Sequence, residues 1–167
     1  MLLSLLLPAL AHGAPADGAP ADEARTDEAP AWDVSAPHGP GTDVRFTTEE
    51  GTWLGVDVSP DGRSVMFDLL GDVYEVPLAG GAARALTTGN AWDTDAHYAA
   101  SGSRIAFTSD RGGSENLWVM GRDGSDPTAL TDENVDRYTD PVWAPEPGWL
   151  LGRRRSTDTR SIGVQEL

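Results

Sequence analysis

The stretch "RIAFTSDRGGSENLWVMGRDG" (Arg104 to Gly124) sets two short apolar runs in succession, each closed by a polar turn, and the same pattern has already occurred forty residues earlier. Against "SPDGRSVMFDLLGDVYEVPLAGGAARALT" (Ser59 to Thr87), Gly62 matches Gly102, Val65 matches Ile105 and Phe67 matches Phe107 at an offset of 40. After an insertion of four residues around "RGGS" the offset is 44: Val73 matches Leu117, Tyr74 matches Trp118, Val76 matches Met120, Gly80 matches Gly124, and Leu86-Thr87 match Leu130-Thr131. An insertion confined to a turn is what a hairpin repeat tolerates best. A third copy opens at "DPVWAPEPGWLLGRR" (Asp140 to Arg154), with Trp149-Leu150-Leu151 as its apolar run.

Each unit holds segments of four to six residues rich in Val, Ile, Phe, Trp, Tyr and Leu, bounded by Asp-Gly, Gly-Gly and Gly-Ser turns. No window of helical periodicity competes, so these are strands. Alternation puts Val65, Phe67, Ile105 and Phe107 on one face; Met66, Leu70, Trp118 and Met120 lie on the other. A sheet apolar on both faces must be covered on both. Sandwiches and barrels do not repeat in sequence at 40 to 45 residues, whereas four-stranded propeller blades do. The fold class expected is therefore all-β: two four-stranded antiparallel blades of a β-propeller and the start of a third.

The domain boundaries expected are 1–11, 12–43, 44–88, 89–134 and 135–167. "MLLSLLLPALA" is an apolar run ending in a small-x-small site, Ala9-Leu10-Ala11, which matches a secretory signal although no basic residue precedes the run. Residues 12–43 begin with "HGAPADGAPADEARTDEAPA", which holds seven Ala, three Pro and five acids and reads as a disordered tether. Blade 1 occupies 44–88, blade 2 occupies 89–134, and 135–167 is a partial blade 3. Export implies a periplasmic or secreted location. Because closed propellers have four to eight blades, two units and part of a third imply the leading part of a longer protein, a truncated product, or one piece of an assembly. Apolar residues such as Met66 and Trp149 are then expected on uncovered outer faces, with oligomerisation through open blade edges as one consequence.

"DVSPDGRSVMFDLLGDVYEVPLAGGAARALT" and "IAFTSDRGGSENLWVMGRDGSDPTALT" resemble the TolB-like, WD-repeat-like propeller repeats of bacterial exported proteins. The wider context, "FTTEEGTWLGVDVSPDG" before them and "TDTRSIGVQEL" after, resembles the N-terminal propeller of secreted metal-dependent amidohydrolases. That resemblance implies a catalytic domain beyond residue 167. Such enzymes hold metal through a His-x-His pair, and the three histidines here, His12, His38 and His97, form none.

Composition excludes several functions. The net charge is −15 and every basic residue is Arg, so a phosphate backbone is repelled and nucleic-acid binding is disfavoured. Cysteine is absent, which removes disulfides and thiolate zinc sites. No nucleophile elbow, Walker loop, dinucleotide fingerprint or EF-hand ladder occurs. The Asp-rich turns "DGSD" (Asp123 to Asp126) and "DENVD" (Asp132 to Asp136) lack the alternating ligand pattern of calcium loops. "RRR" (Arg153 to Arg155) reads as a surface of salt bridges. No catalytic residue, cofactor or metal is assigned, and whether the parent protein is an enzyme is left open.

One constellation stands apart. Aligning the innermost strands through Ala99 and Ala144 sets Asp95 opposite Asp140, each close before an aromatic residue. Innermost strands converge on the propeller channel, so Trp92, Asp93, Asp95, His97 and Asp140 form a candidate channel-mouth site for a cationic ligand, a metal ion or a peptide. The alternative is that these Asp residues cap the turn entering the strand. The function expected is a non-catalytic, exported propeller segment that binds protein or peptide or gates a neighbouring enzyme domain. The rival is an N-terminal fragment of a metal-dependent amidohydrolase.

Overall fold

The computed structural model describes residues 33–34, 36, 39–42, 44–156 and 160–166, with side chains up to Ser156. The expected signal peptide, most of the tether, His12 and His38 lie outside the described residues. Those residues hold eleven strands in three antiparallel sheets and no helix.

Sheet one is β1 (Val56–Val58), β2 (Ser64–Leu69), β3 (Asp72–Pro77) and β4 (Arg84–Ala85), hydrogen-bonded in chain order. Sheet two is β5 (Asp93–Tyr98), β6 (Arg104–Ser109), β7 (Asn116–Gly121) and β8 (Thr128–Ala129), again in chain order. Sheet three pairs β9 (Arg137–Trp143) with β10 (Trp149–Arg155) and β10 with β11 (Arg160–Glu166). Each sheet is a meander, and together they make two blades and three strands of a third.

The repeat seen in sequence recurs bond for bond. Gly62 N–H donates to the Ser59 carbonyl and Gly102 N–H to that of Ala99, both at 2.8 Å. At the outer edge, Leu86 N–H donates to the Val73 carbonyl (2.7 Å) and Leu130 N–H to that of Leu117 (2.8 Å). Thr87 Oγ1 accepts from Val73 N–H, and Thr131 Oγ1 accepts from Leu117 N–H. A β-strand two residues long needs such a threonine clamp, because it has few ladder bonds of its own.

Side-chain alternation then decides what each blade buries. Ile105 and Phe107 face blade 1, where they join Met66, Val73, Leu86, Ala96, Tyr98 and Met120 in one apolar cluster. Between them, Ala106 points the opposite way and joins Leu117, Val119 and Leu150 in a second cluster beneath blade 3. Blade 2 is thereby covered on both faces. Its neighbour is covered on one: Val65, Phe67, Tyr74 and Val76 are half-buried, and the Phe67 and Tyr74 rings stack at 5.6 Å on the uncovered side.

Trp118 and Met120, expected on the face opposite Ile105 and Phe107, share that face instead, because Phe107 pairs with Trp118 and Ile105 with Met120 across β6 and β7. Met66 corrects a second expectation: in place of an outer face in water it is 0% exposed, because its side of β2 faces blade 2. The residues left uncovered on that blade are its alternate neighbours. Trp149, at 40% exposure, does sit on an open face.

Candidate functional site

The innermost strands β1, β5 and β9 lie side by side, and polar contacts tie each to the next. Tyr98 N–H donates to Asp57 Oδ2 (2.9 Å), and Trp143 Nε1–H donates to the His97 carbonyl (2.9 Å). Both β5 and β9 carry a β-bulge, between Thr94 and His97 and opposite Gly152 respectively. At those bulges Asp95 (φ 51°) and Asp140 (φ 54°) adopt left-handed backbone. Asp tolerates that conformation better than most residues. The two aspartates aligned by sequence thus share a backbone kink, inside the strand and not in the turn before it.

Asp68, on β2, completes this region. It is buried, and its two oxygens accept from Gly55 N–H (3.1 Å) and Asp95 N–H (3.0 Å), joining blade 1 to the bulge of blade 2. A Cβ at position 55 would stand 2.5 Å from Asp68 Oδ2, so only glycine admits the carboxylate there. Burial pushes the Asp95 carboxyl up from its ordinary value, and the charges of Asp140 and Asp68 push it further. Among the described residues no hydrogen bond is made to the Asp95 carboxylate itself.

The candidate residues divide. Trp92 and Asp95 line a cleft of about 810 Å³, floored by Asp68 and the β2–β3 turn Leu70-Gly71 and walled by Phe46, Glu50 and Trp53. Trp92 is held by its N–H bond to Asp110 Oδ1 (2.7 Å), and its ring lies over Gly71, where any Cβ would clash. Asp93 points elsewhere: it is buried and receives Arg111 Nη2 at 2.7 Å. His97 Nδ1 lies 3.7 Å from Asp57 Oδ2. Asp140 is paired with Arg153 at 2.6 Å and accepts from Thr139 Oγ1. No group of three or more His, Asp or Glu side chains among the described residues is placed to hold a metal ion.

Sequence reasoning missed three participants. Arg111, in the insertion treated as turn filler, stacks over both Phe107 and Trp118 at 5.2 Å while pairing with Asp93. Asp68 stood unremarked in an apolar strand; a lone carboxylate among Met66, Phe67 and Leu69 was the available signal. Segment 46–54 carries no strand periodicity, so nothing in its pattern marked Phe46 and Trp53 as cleft walls. The arginine cluster is as read: Arg153 pairs with Asp140 and Arg154 with Asp136.

No family model matches the chain. Over 90 residues it is 31% identical to the Tol-Pal system protein TolB of Wolinella succinogenes, covering 52% of this chain and 21% of that protein. Among solved structures, TolB from Agrobacterium tumefaciens superposes with a TM-score of 0.60 at 23% identity, over 66% of this chain and 44% of that one. TolB from Acinetobacter baumannii gives 0.59 at 20% identity, over 74% and 32%. The fold is a TolB-like β-propeller. Puromycin hydrolase, solved as its S511A mutant with PGG, also superposes, with a TM-score of 0.52 at 18% identity over 68% of this chain and 20% of that one. The chain spans about a fifth of the curated relative and less than half of each of these solved chains. No helix among the described residues is long and apolar enough to cross a membrane.

Proposed function

We propose that this TolB-like segment is a non-catalytic, exported binding module that takes protein or peptide through the cleft between blade 1 and blade 2. The observation that carries the reading is the cleft itself: about 810 Å³, open, and bordered by Phe46, Trp53, Leu70 and Trp92, all exposed large apolar side chains. Contiguous apolar surface left in water marks an interaction site more often than chance exposure does. The relative's name, which places that protein in the Tol-Pal system, supports a role as one component of a multi-protein system. Residues 1–11 as a signal, residues 12–43 as a tether and a periplasmic or secreted location belong to the same proposal.

The rival reading makes the chain the N-terminal part of a metal-dependent amidohydrolase. Its support is that a hydrolase is among the chains that share the fold. Two measurements test the first reading. Selection of displayed random peptides on the full chain should enrich a motif, and Trp53→Ala with Trp92→Ala should abolish the enrichment. Amide and ester substrates, with and without zinc, should not turn over. Metal-dependent turnover lost in His97→Ala would overturn the non-catalytic assignment.

A further inference from the structure

Among the described residues, every charged group lining the cleft has one sign: Glu50, Asp68 and Asp95 are its ionisable residues, and no described Arg, Lys or His lines it. The exposed rings of Trp53, Trp92 and Phe46 add the negative faces of their π systems. The basic groups whose charge reaches Asp95, Arg153 and His97, have their closest carboxylates in Asp140 and Asp57. Of the three carboxylates, Asp68 spends both oxygens on backbone amides, whereas Asp95 has no described donor. A cation with an apolar body fits this surface, and an anion is repelled by it and by the chain's net charge of −15.

Size narrows the class. A bare metal ion would need a cluster of ligands that the described residues lack, and about 810 Å³ is far more than one side chain fills. We infer that the cleft takes an arginine or lysine side chain from an extended peptide segment, with Asp95 as its charge partner, Trp53 and Trp92 flanking its aliphatic stem, and apolar neighbours of that residue covering Phe46 and Leu70. This deepens the peptide-binding reading and rests on it.

The test titrates the full chain with blocked peptides of sequence Gly-Leu-Xaa-Leu-Gly, following tryptophan fluorescence, where Xaa is arginine, citrulline or glutamate. Citrulline keeps the shape of arginine and removes its charge. The arginine peptide should bind about tenfold tighter than the citrulline peptide, the size of one charge-assisted hydrogen bond, and the glutamate peptide weakest. Asp95→Asn should erase the arginine preference, while Asp95→Glu should retain part of it. Asn keeps the left-handed backbone available, and a cooperative melt of each variant confirms that it is folded. Equal binding of arginine and citrulline peptides would overturn the cation assignment and leave peptide binding standing. Failure of all three peptides to bind at millimolar concentration would overturn both.

Discussion

Blades 1 and 2 carry the same repeat and meet different surroundings. Phe67 and Phe107 are aligned residues on the same face of aligned strands, yet Phe107 is 0% exposed and Phe67 only half-buried. The difference is the neighbour: Phe107 has blade 1 against it, whereas no described residue packs as a blade against the face that carries Phe67. Burial is set by position in the array, not by the local pattern. The turns differ too. Blade 1 turns between β2 and β3 on Leu70 (φ 56°) and Gly71 (φ 86°), while blade 2 uses the longer turn that brings Arg111 to Asp93.

The largest expected effect comes from exchanging the aligned phenylalanines. Phe107→Ala should cost about 3–5 kcal/mol of unfolding free energy by creating a cavity between blades. Phe67→Ala should cost less, about 1–2 kcal/mol, since its ring is only partly buried and packs on Tyr74 with no blade beyond it. Denaturant melts of both variants measure the pair, and equal losses would break the comparison.

Arg111→Ala comes next. It strands the Asp93 carboxylate in a buried position, and removing one partner of such a pair costs about 3 kcal/mol. Blade 1 has no counterpart of this contact, so truncating Leu70 should leave its melting point within about 2 °C. Thermal melts compare them.

A smaller effect lies at the polar rim between the blades. Glu75 accepts from Tyr98 Oη (2.9 Å), Arg84 Nη2 (3.0 Å) and Arg122 Nη2 (3.3 Å). Burial works to raise its pKa, but these hydrogen bonds and the Arg122 charge bring it below the ordinary value. A depressed carboxyl stabilises the fold above its unfolded pKa and loses that contribution as pH falls through its folded one. Glu75→Gln should thus cost about 1 kcal/mol at pH 7, and the gap to the parent chain should close on acidification.

The smallest effect has the opposite sign. Gly55 in blade 1 aligns with Asp95 in blade 2, and only the second position carries a charge beside Asp68. Burial and like charges raise the Asp95 pKa, so its ionised form opposes folding above that pKa and the cost vanishes below the unfolded value. Asp95→Asn should stabilise the chain at pH 7 by less than about 1 kcal/mol, after solvent screening, with no gain at low pH. A loss at pH 7 would show that the carboxylate is structural.

Much of the fold was legible because a repeat states its own register. The offsets of 40 and 44 that align Phe67 with Phe107 and Val73 with Leu117 are the offsets at which backbone bonds recur, for instance Gly62 to Ser59 and Gly102 to Ala99. Which face of β2 would be covered was not legible, and Met66 was assigned to the wrong side because alternation names two faces without saying which neighbour each meets. The site was legible in part. Asp95 and Trp92 were found by alignment and composition, but a bulge shifts strand phase without a sequence signature, which separated Asp93 and His97 from them. The Asp93–Arg111 pair spans 18 residues of chain and the cleft needs residues 46–54. Neither follows from local periodicity.

Amide hydrogen exchange across the whole chain tests the array most directly, because it reads the opening free energy of each blade in one sample. Blade 2, covered on both faces, should hold the slowest amides, at Ile105, Phe107, Leu117 and Val119, exchanging only with global unfolding. The aligned amides of Val65, Phe67 and Val73 in blade 1 should exchange through a separate, less costly opening. Amides of blade 1 as slow as their partners in blade 2, or protection that ignores the repeat, would contradict the account.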